Sequence, residues 1–340
     1  MNTIVTDVIG DIALVIVVSS VLGAVARRCG QPVVIGQLLT GVLLGPSVLG
    51  RLPGHLTSHL FPHQVLPYLT VLAQVAVAVF MFAVGYEIDL AKLRGRGRTV
   101  PLIAASALAV PMGLGMACVL LFRSGFTAVG EVHQGRSFLL FMGVATSITA
   151  MPVLAAVVRE RGLTGTIAGV TATAAAGSMD VVAWLLLAAA LIGSGHSGRF
   201  SLPVTLLLAG CFVAFMLPLF FIVTGLALNI GAVGGDGFVL LALILVVAAA
   251  GKLGPAYGVS RVCGIGPKES ATIAVLLNTR GLTELIALNV GLTDGLIGRQ
   301  LFSVLVLMAL ITTMMTGPLL SVIERYRAQE PVVAEHVTNT

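Results

Sequence analysis

Asp180 is the only charged side chain between Gly162 and the glycine-rich stretch that begins at Gly193, in a run otherwise built of Ala, Val, Leu, Ile, Gly and Thr with one Ser, one Met and one Trp. A carboxylate in such surroundings is costly to keep ionised away from water, so it tends to hold a proton, meet a cation or line a wet cavity. Lys252 stands in a second apolar run, and Arg280 and Glu284 lie four residues apart in a third. Central position favours a buried Lys252 over one that snorkels to an interface, and such a lysine needs Glu284 or Asp180 as its partner unless it is neutral. Arg280 and Glu284 either pair with each other at i,i+4 or turn one member toward Asp180. The hydroxyls of Thr146, Ser147 and Thr149 precede Pro152, and Asn278 and Thr279 precede Gly281. Proline removes a backbone donor and glycine is conformationally loose, so both runs read as helices broken in the middle, with polar side chains available for the groups released. The plainer alternative is a kinked helix whose hydroxyls bond back to the preceding turn.

The elements that position these residues are membrane helices. Of 340 residues, 57% are hydrophobic and 10% charged, and the mean hydropathy is +1.06, outside what a water-facing surface allows. Apolar runs fall at 8–26, 32–50, 67–86, 99–122, 137–158, 165–192, 202–230, 238–260, 269–292 and 300–323, each to be matched against a hydrocarbon core of about 30 Å. Asp7 and Asp11 stand where a signal peptide would be basic, so the first run is expected to remain in the chain. The net charge of +5 comes from loops between spans, which the positive-inside rule explains better than nucleic acid. Cys29, Cys118, Cys211 and Cys263 are too scattered for a disulfide framework or a zinc site.

Basic residues also set the orientation. Arg27 with Arg28, Lys92 to Arg98, Arg159 with Arg161, Arg261 with Lys268, and Arg325 with Arg327 mark cytoplasmic loops, which puts the N-terminus outside and the C-terminus in the cytoplasm. The run at 202–230 would then begin and end on the outer side, too short for two crossings. Pro218 near its centre suggests a re-entrant hairpin, and the other solution is loss of part of the fold.

Phe80 to Leu90 has a weak echo in Leu219 to Ile230, each followed by three apolar runs. A duplicated unit inserted with opposite topology makes an inverted repeat with its site at the midplane between halves. In that reading 99–192 and 238–323 are two three-helix bundles whose discontinuous helices cross near Asp180 and aim half-helix ends at a bound ion.

Taken together, Gly30 to Gly36 with Gly41 to Pro46, Phe82 to Glu87, Ala145 to Pro152, Met179-Asp180 to Trp184, Leu217 to Phe221, Gly251-Lys252 to Gly254 and Asn278 to Glu284 resemble the monovalent cation:proton antiporter superfamily, near its Kef-like and sodium/proton exchanger branch. The resemblance covers most of the chain in order. It implies an all-α polytopic membrane protein with an inverted-repeat core (99–192 and 238–323) beside a panel domain that usually forms the homodimer, exchanging sodium or potassium for protons. Residues 1–98 would be panel helices, 193–237 a shortened linker or panel segment, and 324–340 a polar cytoplasmic tail without a nucleotide-sensing domain. Asp180 falls on the family's ion-binding carboxylate. Thr146, Ser147 and Asn278, at the two expected helix breaks, are candidate further ligands of the cation. Lys252 matches a lysine that, in electrogenic members, pairs with an acid beside that carboxylate. Three departures stand out. Met179 occupies the neighbouring position, where the family has a small polar residue; Gly225 to Asn229 lacks the usual basic and acidic pair; and about three helices are missing before Leu217.

Two functions follow. The first is cation/proton antiport with Asp180 as the shared site, one-for-one because the second carboxylate is absent. The alternative is a membrane-embedded enzyme in which Asp180 acts as Brønsted acid on an apolar isoprenoid, with Met179, Trp184 and Phe221 lining the chamber and Trp184 stabilising a carbocation. No cofactor is implied, since Gly231–Gly237 lacks the Lys-Ser or Lys-Thr of a phosphate loop. His55, His59 and His63 are spaced for a metal or pH site, although Pro53, Pro62 and Pro67 disfavour the helix this needs.

Overall fold

In lipid every backbone amide and carbonyl must find its partner within the protein, so apolar runs of this kind fold as helices. The computed structural model describes residues 3–45, 48–51, 60–62, 64–69, 71–72, 97–131, 134–193, 231 and 233–328, and among these the regular structure is helical, with no strand. The helices are α1 (Thr3–Arg28), α2 (Val33–Leu44), α3 (Thr99–Leu121), α4 (Arg123–Ala128), α5 (Arg136–Ser147), α6 (Met151–Glu160), α7 (Ile167–Gly193), α8 (Gly234–Val262), α9 (Pro267–Leu277), α10 (Leu282–Thr293) and α11 (Arg299–Ala328). Among the described residues, six spans are long and apolar enough to cross a membrane: α1, α3, the interrupted α5–α6, α7, α8 and α11. The protein is an all-α, multi-pass membrane protein.

The order of long helix, broken helix and long helix occurs twice: α3, α5–α6, α7 and then α8, α9–α10, α11. The α5–α6 crossing is the most enclosed of these six spans, with 89% of its most apolar stretch buried against 22% for α1. The molecule is therefore centred on a broken helix. Around it, α3 packs on α5, α7 and α8, while α9 packs on α7, α8 and α11. At one crossing a side chain on Gly251 of α8 would come within 2.9 Å of Leu114 Cδ1 and 3.2 Å of Pro111 Cα of α3, so glycine favours the close approach of the two helices beside Lys252.

The apolar run at 32–50 yields only the 12-residue α2, which stops at Leu44. Gly45, held extended with φ −78° and ψ 178°, precedes Pro46, and the residue before proline is driven out of the helical region. The runs at 202–230 and most of 67–86, both copies of the Phe80/Leu219 echo, His55, His59, His63 and the tail beyond Ala328 lie outside the described residues.

Candidate functional site

Both breaks are built by local chemistry. Helix α5 ends where Ile148 turns extended (φ −58°, ψ 139°), and α6 restarts with Pro152 in its first turn, where a missing amide costs nothing. Helix α9 ends at Leu277, and Gly281, at φ 148° and ψ −116°, leads into α10. That backbone belongs to glycine. A side chain there would also come within 2.7 Å of Val153 Cγ2, because the two breaks cross in contact. The Ala150 amide donates to the Thr279 carbonyl at 3.2 Å, and the Thr149 hydroxyl donates to the Leu277 carbonyl at 3.0 Å.

Four charged groups surround this crossing, sorted by the sign of the helix ends. The C-terminal end of a helix carries orphan carbonyls and partial negative charge. At the end of α5, the Arg280 guanidinium donates through Nη1 to Ala145 O at 2.8 Å and through Nη2 to Thr146 O at 2.5 Å. Lys252 Nζ donates to Ser147 O and Ile148 O at 2.5 and 2.6 Å. Two basic side chains thus serve four successive carbonyls. Arg280 Nη1 also bonds Glu284 Oε1 at 3.1 Å, an ion pair with both side chains fully buried.

Asp180 sits at the opposite pole. It projects from α7 toward the starts of α6 and α10, where the Met151 amide and the Thr283 hydroxyl approach it, and it lies in the field of Lys252. Neither approach completes a hydrogen bond: both carboxylate oxygens are buried and without a donor, in a residue only 6% exposed. The positive ends of two half-helices converge on a carboxylate with open coordination. Such a group is chemically suited to accept a proton or an oxygen-seeking cation.

The residues singled out from sequence fall into two sets. Asp180, Lys252, Arg280 and Glu284 come together at the crossing, with Lys252 in electrostatic reach of the other three. Its hydrogen-bond partners are backbone carbonyls, however, whereas sequence reasoning considered only acids. Arg280 and Glu284 do pair with each other. Asn278 donates weakly to Thr312 O at 3.4 Å and leaves its own Oδ1 buried without a partner, as does Glu284 at Oε2. Thr146 lies within hydrogen-bond distance of the carbonyls of Met142, Gly143 and Pro111, and Ser147 donates to Val144 O, so both hydroxyl protons are engaged in and around α5. Met179 is buried, while Trp184 is 36% exposed beside exposed Val181 and Leu185. The ring therefore does not share the enclosed setting of Asp180, and Phe221 lies outside the described residues.

Two contributors escaped sequence reasoning. Thr283 lay within a quoted motif, but nothing distinguished its hydroxyl from those around it. Thr313 of α11 donates to Arg280 O at 2.8 Å and accepts the Arg280 amide at 2.9 Å, pinning the second break. A threonine inside a long apolar helix is its only sequence signal.

Comparison with known proteins gives the family of the chain. The family model described as sodium/hydrogen exchanger, transmembrane, matches residues 14–217 and 212–324. Cation/H(+) antiporter 19 of Arabidopsis thaliana is 31% identical over 401 aligned positions, covering 93% of this chain and 49% of the plant protein. K(+)/H(+) antiporter 1 of Saccharomyces cerevisiae is 26% identical over 398 positions, covering 90% and 45%. The chain spans about half the length of these two relatives. The Na(+)/H(+) antiporter NhaS4 of Synechocystis sp. is 28% identical over 398 positions, 92% of this chain and 96% of that one. That alignment is longer than this 340-residue chain, so the cyanobacterial protein has residues inside the matched stretch with no counterpart here. The two family matches meet at 212–217, within the run for which charge topology left a re-entrant hairpin or loss of part of the fold as alternatives. On this coverage the chain belongs to the sodium/hydrogen exchanger family.

Proposed function

We propose that the protein exchanges a monovalent cation, sodium or potassium, for protons, with the Asp180 carboxylate as the site for which the two compete. The observation that carries this reading is the pair of buried Asp180 oxygens without a hydrogen-bond donor, facing two half-helix starts. The printed functions of the relatives, cation/H(+), Na(+)/H(+) and K(+)/H(+) antiport, support the same class.

A bound cation and a bound proton each leave Asp180 neutral, so the loaded site crosses with the same charge in either direction. Lys252 is held on the Ser147 and Ile148 carbonyls, and Met179 offers no second carboxylate, which together support an electroneutral, one-for-one cycle. Thr283 and the unpartnered Asn278 Oδ1 are the side-chain oxygens best suited to extend the cation's coordination, with Thr146 and Ser147 acting through their remaining lone pairs. Lys252, Arg280 and Glu284 hold the crossing in register.

Residues 99–192 and 238–323 form the moving core, and residues 1–98 with 193–237 the reduced panel, which a second subunit completes. The distribution of loop arginines supports an outward-facing N-terminus and a cytoplasmic C-terminus. The test is transport in proteoliposomes carrying a pH dye: an imposed sodium or potassium gradient drives proton movement that Asp180→Asn abolishes. Wild-type protein inert under both gradients overturns the proposal.

A further inference from the structure

A second candidate site lies away from the crossing, where the α1–α2 turn meets the end of α6. A cavity of about 540 Å³ opens there, lined by Arg27, Val33, Ala156, Arg159 and Glu160. Its volume is in the range of small-ligand sites, about 300–1,000 Å³. The two arginines come from different elements, Arg27 from the last turn of α1 and Arg159 from the last turn of α6, so the fold rather than local sequence brings them to one cavity.

The walls are braced. Glu160, the lining acid, accepts the Val33 amide through Oε2 at 2.8 Å. Next to it, Arg161 donates to Gly30 O at 2.9 Å and Gly317 O at 3.2 Å and pairs with Glu324 at 3.3 Å, tying the turn, α6 and α11 together. Depth follows from helix length. At about 1.5 Å per residue, the 26 residues of α1 measure roughly 39 Å, against a hydrocarbon core of about 30 Å. The helix is therefore long enough for Arg27, one residue from the end of α1, to reach the level of lipid phosphates.

We propose that this cavity binds a phosphate group, carried by the headgroup of an anionic lipid or by a soluble ligand. Arg27 carries a planar fork suited to bidentate contact with phosphate oxygens, and Arg159, already engaged in part within the protein, adds a second guanidinium to the same cavity, a geometry that lysines in the same places would lack. A phosphate held between them bridges the α1–α2 hairpin to the interrupted helix that leads to the crossing. The inference is independent of the exchange reaction and stands or falls without Asp180.

The test uses the full-length protein with two probes. Native mass spectrometry from nanodiscs of phosphatidylcholine with or without phosphatidylglycerol reads retained lipid, and thermal unfolding in detergent with inorganic phosphate reads the soluble arm. Retained phosphatidylglycerol identifies a headgroup site; a rise in melting temperature with phosphate, without retained lipid, identifies a soluble ligand. In either arm Arg27→Gln/Arg159→Gln should weaken binding about tenfold, the loss of two solvent-facing charge-assisted contacts, while Arg98→Gln, at the start of α3, should bind as wild type does. Arg27→Lys, which keeps the charge of an exposed helix-end residue, guards against a folding defect and should fall between the two. No binding of either probe by wild type, or equal binding by the double variant, overturns the proposal.

Discussion

Lys252 Nζ lies 2.5 Å from the carbonyl oxygen of Ser147, so the buried lysine of α8 terminates the half-helix α5 in place of pairing with an acid. Lys252→Gln should accordingly act on stability before affinity. Losing a buried donor from two carbonyls costs about 1–3 kcal/mol, seen as a lowered melting temperature in detergent, while the half-saturating cation concentration in proteoliposomes stays within about threefold, a shift under 1 kcal/mol. A large rise in that concentration with unchanged stability would instead place Lys252 in the ion site.

Gly281 permits the crossing through its backbone and its missing side chain alike. At φ 148°, with Val153 Cγ2 only 2.7 Å from where an alanine methyl would sit, Gly281→Ala meets both strain and a clash. A loss of about 1–3 kcal/mol is expected from the backbone conformation alone, with more from the contact. Adding Val153→Ala should recover only the contact part in a thermal-unfolding comparison. Full recovery would mean that backbone conformation matters little there.

The Arg280–Glu284 pair is fully buried, and removing one partner strands the other charge. Glu284→Gln should destabilise by about 3–5 kcal/mol. Arg280→Met also releases the Ala145 and Thr146 carbonyls, so it should be the worse single change, and Arg280→Met/Glu284→Met should recover stability relative to Arg280→Met but not reach wild type. Melting temperatures of wild type, Arg280→Met, Glu284→Met and the double variant close the cycle and give the coupling.

Glu131, between α4 and α5 and outside the spans, is 8% exposed and accepts the Gly298 amide at 2.6 Å at the start of α11. Burial pushes its carboxyl above the ordinary glutamate value, and the Gly298 amide only partly offsets this. The native state then binds the proton more tightly than the unfolded chain, so the group's contribution is fully present below the ordinary value and is lost as pH rises through the raised one. Melting temperature against pH should show this decline in wild type and lack it in Glu131→Gln.

Which parts of this arrangement were legible beforehand follows from what each residue signals. Asp180 announced itself as a lone charge in an apolar run, and Pro152 and Gly281 marked the two breaks because both residues disturb helices by backbone chemistry. The partners of Lys252 could not be read, since carbonyls belong to every residue and carry no sequence mark. Trp184 misled for a geometric reason: four residues advance a helix by about 40° beyond a full turn, enough here to separate an enclosed acid from an exposed ring. The division of the 137–158 run into α5 and α6 was anticipated; the lysine and arginine gathered on the end of α5 were not.

The competition itself can be measured. If one carboxylate serves cation and proton in turn, the half-saturating sodium or potassium concentration in proteoliposomes should rise by roughly tenfold for each unit of pH lowered through the acid range, by mass action at a single site, with the maximal rate unchanged. A half-saturating concentration independent of pH would contradict a shared Asp180 site.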